Sequence, residues 1–483
     1  MINTNALRKK ILELAFNGKL SSTIFKDNTA EELVKSITQQ KEILLKEKKI
    51  SKIKKLSEIK EDEMIFDIPE GWGYYKLGEL CLPLSDGVHY APEYQKNGYK
   101  CFSAKDIYNN QVNDNECTYV TEEEYLKMKE KINVQEGSIL ITKSGSIGRS
   151  AVVHEYFEFG LVESIGVINP IFVNPEYIKY VLDYGFVYSL YYYEKFTRGV
   201  GLKHLTLTLL ENIPIPLPPL NEQNNLVKII KETFILLDEI DTLQEKYSKN
   251  LSVLKEKIID AGIRGKLTEQ LSEDGDAETL YLQIQEEKAK LIKEGKIKKE
   301  KPLPEIDADE IPFEIPKKWK WVHFNGIGVS SLGKTLNKST DRGDECRYLC
   351  SINVQWEGIN LNTVKTARFD VGDREKYRLQ RGDLLICEGG DSGRCAIWDS
   401  DEEMYYQNAL HRVRFLGNIN PTFYSYVMEA YKKGGIISNY TTGIGIQHLV
   451  QASLNSIWLP LPPVSEQERI VAKVESILEQ INS

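Results

Sequence analysis

What this sequence lacks narrows it quickly. No stretch approaches the roughly twenty consecutive apolar residues that a membrane-spanning helix needs. No CxxC pair occurs among the seven cysteines, so they read as reduced thiols rather than a disulfide framework. Cys346 and Cys350 are spaced like metal ligands but have no second pair nearby, and no metal site is expected. The N-terminal run MINTNALRKKILELAF has no signal-peptide cleavage pattern and the spacing of an amphipathic helix, so a cytoplasmic protein is expected. An excess of positive charge is also missing, since 62 Lys and Arg face 71 Asp and Glu for a net charge of −9. That balance argues against a chain that coats nucleic acid unaided. It says nothing against a basic face on particular loops, because total charge and charge placement are separate quantities.

What is present is organised around residues 217–267. After the rigid run LPPLNEQ, more than forty residues pass without proline. Apolar positions alternate in steps of three and four, the seam of a helix that packs on another long helix. Ile230, Leu237, Ile240, Tyr247, Leu251, Leu254 and Ile258 are the expected interface positions. Forty residues at the helical rise make a rod of roughly 60 Å. With 483 residues the chain is too long for one ordinary core, and two or more domains are expected around this rod.

The same elements recur at both ends of the chain. LRKKILELAFNGKLSS near the start matches LKEKIIDAGIRGKLTEQ, so that Gly18, Lys19 and Leu20 fall 247 positions before Gly265, Lys266 and Leu267. Gly18 and Gly265 are expected to end or bend a helix. Both arms finish in lysine-rich runs, Lys46 to Lys60 and Lys288 to Lys301, read as a solvated helix face and linker, with a grip on phosphate as the sharper alternative. FDIPEGW at 66–72 and FEIPKKW at 313–319 then stop each arm with a proline and anchor the next segment with a tryptophan.

Two landmarks repeat inside each following β-rich stretch. GSILITKSGSIGRSAVV from Gly137 matches GDLLICEGGDSGRCAIW from Gly382, pairing Gly145, Gly148 and Arg149 with Gly390, Gly393 and Arg394. TRGVGLKHL from Thr197 matches TTGIGIQHL from Thr441, pairing Gly199, Gly201 and His204 with Gly443, Gly445 and His448. Proline-rich exits, IPIPLPPLNEQ and IWLPLPPVSEQ, lead into a helix. The boundaries that follow are a helical arm at 1–64, a domain at 65–216, a central arm and linker at 217–311, a domain at 312–460 and a closing helix at 461–483. The central arm has its beginning echoed at 461–483 and its remainder at 1–60. A circular two-unit repeat is therefore expected, whose terminal helices meet and complete the distal arm. The fold class is α+β, with two mixed, β-rich domains joined by long antiparallel coiled-coil helices in a pseudo-two-fold arrangement.

Catalytic motifs do not stand up. Gly328 to Thr335 matches a phosphate loop formally, but LNKSTDRGDECRY after it has no helical period and no Walker B strand is evident. The GVGLKH and GIGIQH turns lack the third glycine of a dinucleotide-binding turn. No Asn-Pro-Pro-Tyr type amino-methylation motif occurs, and the glycine-rich turns lack the paired carboxylates and lysine of a metal nuclease. His204 and His448 have no nucleophile partner and are expected to bond locally. The residues favour a binding protein, and two similar domains spaced by a rod suggest a two-site ruler on duplex DNA.

In this order and duplicated, the motifs resemble the specificity subunit of Type I restriction-modification systems over nearly the whole chain. LPPLNEQ and LPPVSEQ are similar to that family's domain exits, and GKLTEQ with EEKAKLIKEGKIKKEKPLPEI to its central region. SDGVHYAPEYQKNGYKCFSAKDI from Ser85, and CSINVQWEGINL from Cys350 with YRLQRGDLLICEGGDSGRCAIW, resemble two classes of its target-recognition domain. The resemblance implies that each domain reads one half of a bipartite, asymmetric DNA site through the major groove. It implies arms that bind two modification subunits, with restriction subunits completing a translocating nuclease. S-adenosylmethionine, ATP and magnesium would then sit on those partners, and this chain would bind none and catalyse nothing. Stand-alone methyltransferase or nuclease activity with unrecognised motifs, and a coiled-coil protein adaptor, are the alternatives. Arg or Lys suits guanine, and Asn or Gln suits adenine. The expected readers are therefore His89, Tyr90, Lys105, Lys143, Ser144 and Arg149 in the first domain. In the second they are Lys334, Asn353, Gln355, Trp356, Glu388, Asp391 and Arg394.

Overall fold

The computed structural model describes residues 1–21, 29–199, 203–300, 303–306, 311–337, 339, 341–443 and 447–482. Gly201, Gly445, Lys301 and Ser483 of the motifs above lie outside them. Two compact units divide the chain, Met1–Glu245 and Lys246–Ser483. The proline-free run folds as one 44-residue helix, Leu220–Ile263, whose residues through Glu245 belong to the first unit and the rest to the second.

Each half of that helix has its own packing partner. In the first unit the helix Thr4–Phe16 lies along it, with Leu12, Ala15 and Phe16 in one core with Leu226, Val227 and Ile230. The two run in opposite directions, because Thr4 Oγ1 donates to Asp241 at 2.6 Å while Arg8 meets Asp238 at 2.6 Å and Asp241 at 3.0 Å. In the second unit the helix Val464–Asn482 places Ile470, Val471 and Val474 in a core with Ile258, Ile259 and Ile263. The expected seam is therefore interrupted. Ile230, Leu237 and Ile258 are buried and Ile240 and Leu251 half-buried, but Tyr247 and Leu254 are 61% and 45% exposed. The reason is where coverage stops. The first helix begins beside Asp241, and the last one buries the seam only from Ile258 onward.

The lead-in and exit motifs are one structure in each unit. Gly73–Lys76 pairs antiparallel with Pro214–Leu217, and Lys320–His323 with Trp458–Leu461. The exit glutamates accept from the lead-in tryptophans, Trp72 Nε1 to Glu222 at 2.9 Å and Trp319 Nε1 to Glu466 at 2.8 Å. Gln223 and Gln467, each fully buried, donate to the carbonyls of Pro218 and Pro462 at 2.8 Å. Their oxygens accept from the backbones of Asn174 and Asn420, the N-caps of Pro175–Asp183 and Pro421–Lys433. This is why Glu-Gln follows both proline pairs: buried polar groups persist where every hydrogen bond is made. Gly18 and Gly265 end the helices before them, where they meet Pro69 and Pro316 of the lead-in motifs.

Sheet topology repeats strand for strand. A four-stranded sheet orders Ser85–Asp86, Ile165–Ile168, Ile139–Thr142 and Ser150–Val152, and its counterpart orders Gly328–Leu332, Leu410–Phe415, Asp383–Cys387 and Cys395–Trp398. A three-stranded sheet, one pair antiparallel and one parallel, sets Tyr99–Phe102 between Thr118–Val120 and Phe159–Leu161. Its twin sets Asp344–Leu349 between Lys365–Phe369 and Tyr405–Tyr406. The formal phosphate-loop run is thus largely an antiparallel strand, and Lys334 continues it into a bridge with Gln407.

Candidate nucleic-acid interface

Each unit brings its two sequence landmarks together. In the first, the strand Ile139–Thr142 ends in a turn where the Thr142 hydroxyl donates to Ser146 O at 2.5 Å and accepts from Arg149 N at 3.0 Å. Gly148 holds φ +87°, and a Cβ there would stand 2.2 Å from Phe186 Cβ, so only glycine lets the turn close onto that ring. The second landmark is a hairpin in which Arg198 and His204 exchange backbone hydrogen bonds of 3.0 and 2.8 Å. Leu205 N then donates to Lys143 O at 2.9 Å, tying the hairpin base to the turn. The second unit repeats this geometry. Thr442 and His448 exchange bonds of 2.9 and 2.8 Å, Leu449 N donates to Glu388 O at 2.7 Å, and Ser392 Oγ donates to Gln447 O at 2.5 Å. Burial lowers the pKa of the His411 imidazole, whose Nε2 donates to Leu449 O at 2.8 Å.

Of the six residues singled out in the first domain, His89, Lys143, Ser144 and Arg149 lie at or against this turn. Lys105 instead donates to Glu116 O at 3.1 Å, and Tyr90 packs beside Lys131. Asp86 receives His89 Nε2 at 3.1 Å and the Lys143 ammonium. Ser164 joins the turn to the next loop, its carbonyl accepting from Lys143 N at 2.8 Å and its hydroxyl from Ala104 N at 3.0 Å. His89, Tyr90, Lys105 and Arg149 are exposed, and Ser144 is half-exposed. Tyr90 lies 5.6 Å beneath the Lys131 ammonium, and its phenol is pushed up to about 12 by the Glu124 carboxylate beside it. Arg149 has no side-chain partner among the described residues.

Lys143 needs correcting as a free reader. It is 7% exposed and paired with Asp86, a carboxylate far away in sequence. The same holds for two residues of the second domain. Lys334 is 7% exposed, paired with Asp341 at 3.2 Å and Asp373, donates to Arg368 O at 3.0 Å, and sits 5.0 Å from the centre of the Phe369 ring. Asn353 is fully buried, accepts from Cys350 N and donates to Asn360 O, both at 2.9 Å. It does the work Asp106 does in the first domain, where the carboxylate accepts from Ser103 N at 2.7 Å. These three side chains build the frame.

The other second-domain residues surround the matching turn. Arg394 is held by Ser351 O at 3.0 Å and by Asp391, which also takes Lys432 at 2.9 Å. Gln355, half-buried, donates to Ile352 O at 2.8 Å, Trp356 packs half-buried on the core, and Glu388 is half-exposed. Sequence reasoning passed over Arg198 and Lys203. Both lie inside TRGVGLKHL, whose glycines and histidine mark a turn without singling out its cations. Arg198 is exposed, and Lys203 lies 4.5 Å from the centre of the Tyr193 ring.

A duplicated frame that gathers unlike polar and cationic side chains at one turn–hairpin edge defines a two-headed recognition protein. Comparison with known proteins places it. The model of the Type I restriction modification DNA specificity domain matches residues 69–247 and 316–483. The chain therefore belongs to the family of Type I restriction-modification specificity subunits, the non-catalytic, sequence-choosing components of those systems, and carries two such domains. It is 26% identical to the EcoAI specificity subunit of Escherichia coli, over 99% of this chain and 89% of that one. It is 24% identical to the EcoEI specificity subunit of the same organism, over 97% and 88%. Among solved structures, a chain from work on complex assembly and conformational transition of the Type I restriction-modification system aligns with TM-score 0.56 at 16% identity, over 86% of this chain and 92% of that one. The HsdS subunit from Thermoanaerobacter tengcongensis aligns with TM-score 0.50 at 17% identity, over 87% and 92%.

Proposed function

We propose that this specificity subunit reads a bipartite, asymmetric DNA site, one half per domain, while its helical arms set the gap and dock two modification subunits. Restriction subunits join that complex, and S-adenosylmethionine, ATP and magnesium act on the partners. Such a complex works in the cytoplasm. No helix among the described residues is long and apolar enough to cross a membrane.

The observation that carries the reading is divergence on a repeated frame. In the repeat, buried Lys143 corresponds to half-exposed Glu388, Ser144 to Gly389, Arg198 to Thr442 and Lys203 to Gln447. Yet Leu205 N and Leu449 N make the same bond to Lys143 O and Glu388 O, and the Arg198–His204 and Thr442–His448 pairs are bonded alike. Two frames with unlike edges suit two unlike half-sites. Exposed Arg149 and Arg198 are assigned to phosphates, which position a reader without choosing sequence. His89, Ser144, Gln355 and Glu388 are assigned to base edges. The test is to exchange residues 65–216 for the corresponding stretch of another family member and sequence methylated sites in cells that carry the modification subunit. One half-site should change and the other persist; a change in both, or in neither, defeats the reading.

A further inference from the structure

The second arm helix of each unit is fastened to its target domain by a lysine at the same place in the repeat. Lys41, on the helix Ala30–Lys46, is 7% exposed, and its ammonium donates to Gly78 O and Glu79 O, each at 2.8 Å. Lys288, 247 positions later on Ala277–Lys293, donates to Asn325 O at 2.5 Å, and Gln285 Nε2 reaches Gly326 O at 2.8 Å. The accepting carbonyls belong to the four-residue helices Leu77–Leu80 and Phe324–Ile327, which follow the lead-in strands. So short a helix leaves its carbonyls without intrahelical partners, and a basic side chain can take them.

A second fastening lies beside the first. Lys54 of the linker donates to both oxygens of Glu211 at 2.7 and 2.8 Å, and Glu211 ends the short helix Leu207–Glu211. In the other unit Glu300 of the linker accepts from Lys288 at 3.1 Å and from Asn455 of Gln451–Ser456 at 3.2 Å. The charges are rearranged, yet the same linker is joined to the same short helix. Lys54, its side chain 45% exposed, and Lys288, 13% exposed, are thus engaged by specific partners within the lysine-rich runs. Burying an ammonium is unfavourable unless it is bonded, so two such lysines make contacts that an apolar residue of similar size could not. Burial lowers the Lys41 pKa, as expected for an amine held there.

We propose that Lys41 and Lys288 are positioning residues for DNA recognition. Each fixes the attitude of its target domain on its own arm helix, and together they narrow the range of gap lengths that the assembled protein accepts. This rests on the bipartite reading above.

The test uses the full chain with its modification subunits in cells and reads the methylated motif by sequencing. A wild-type motif without a gap overturns the bipartite reading and this proposal with it. Lys41→Met and Lys288→Met keep most of the unbranched side chain and remove the donor. Half-site sequences should stay the same, while methylation at gaps one base pair longer or shorter rises about tenfold, the effect of ~1.4 kcal/mol of lost discrimination. Lys41→Arg and Lys288→Arg, which keep the donors, should hold the wild-type gap. An unchanged gap distribution in the methionine variants, with methylation intact, overturns the latch and spares the bipartite reading. Should a methionine variant fail to accumulate, Lys54→Met and Glu300→Gln loosen the second fastening and are read by the same criterion.

Discussion

Replacing Gly148 by alanine should be far more damaging than replacing Gly145, although both stand at positive φ in one turn, +87° and +71°. An L-residue in the left-handed region costs about 1–2 kcal/mol. At Gly145 nothing lies within 4 Å of the added carbon, so that conformational term is the whole effect. At Gly148 the carbon falls 2.2 Å from Phe186 Cβ and 2.5 Å from Cγ, on a residue that is 2% exposed within the segment Tyr184–Tyr188. These atoms sit at the root of the side chain, so relief requires backbone movement and adds roughly 1–3 kcal/mol of overpacking. Gly148→Ala should therefore destabilise by about 3–4 kcal/mol and Gly145→Ala by about 1 kcal/mol. The second unit supplies a control, because Gly390 is open while a carbon at Gly393 meets Ile437 Cγ2 at 3.0 Å, the tip of a side chain that can give. Gly393→Ala should fall between, at about 2 kcal/mol. Urea unfolding of the purified chain, followed by circular dichroism, measures all four. Equal losses at Gly145 and Gly148, or the reverse order, would refute the close approach of turn and ring.

Four further outcomes follow from the same structure. Arg149→Ala and Arg198→Ala should each lower the slope of log affinity against log salt by about 1 and weaken binding alike on all sequences, whereas a loss confined to one sequence would refute the phosphate assignment. Lys143→Met should act on stability, losing about 1–3 kcal/mol by leaving Asp86, whose side chain is 13% exposed, with the His89 contact but without its ammonium partner. Burial raises the carboxyls of Glu222 and Glu466 above their ordinary 4.5, so the folded chain binds those protons more tightly than the unfolded one. Their contribution to stability is full below 4.5 and is lost as pH rises through the folded values. Glu222→Gln and Glu466→Gln should flatten the pH dependence of melting in that window, and an unaltered profile would count against it. Finally, burial pushes the Cys81 and Cys101 thiols up to about 12 and Cys387 to about 11, while Cys346 is half-buried. A thiol titration should find Cys346 reacting first and all seven cysteines only after denaturation.

Much of the architecture was legible from spacing alone. The long helix, the strand–turn–strand runs, the two-fold repeat and its offset all follow from local pattern, because periodicity and turn chemistry act over a few residues. The LPPxxEQ exits were visible as recurring punctuation, but their meaning was not. Glu222 and Gln223 recur because they satisfy Trp72 and the cap of a distant helix. The turn and the hairpin were likewise recognised as separate landmarks, and only the bond from Leu205 N to Lys143 O makes them one edge.

Sequence by itself therefore determined the repeated frame, the family and the two landmarks of each domain. Tertiary structure decided which cations are available there. Lys143 and Lys334 look like Arg149 in a list of basic residues, yet each meets a carboxylate brought from far along the chain, Asp86 or Asp373, and is removed from solvent. The same limit applies to the helical seam, where Tyr247 and Leu254 keep the apolar spacing but remain exposed. Local pattern records which side chains could be buried or charged; which ones are depends on where the partner elements begin and end.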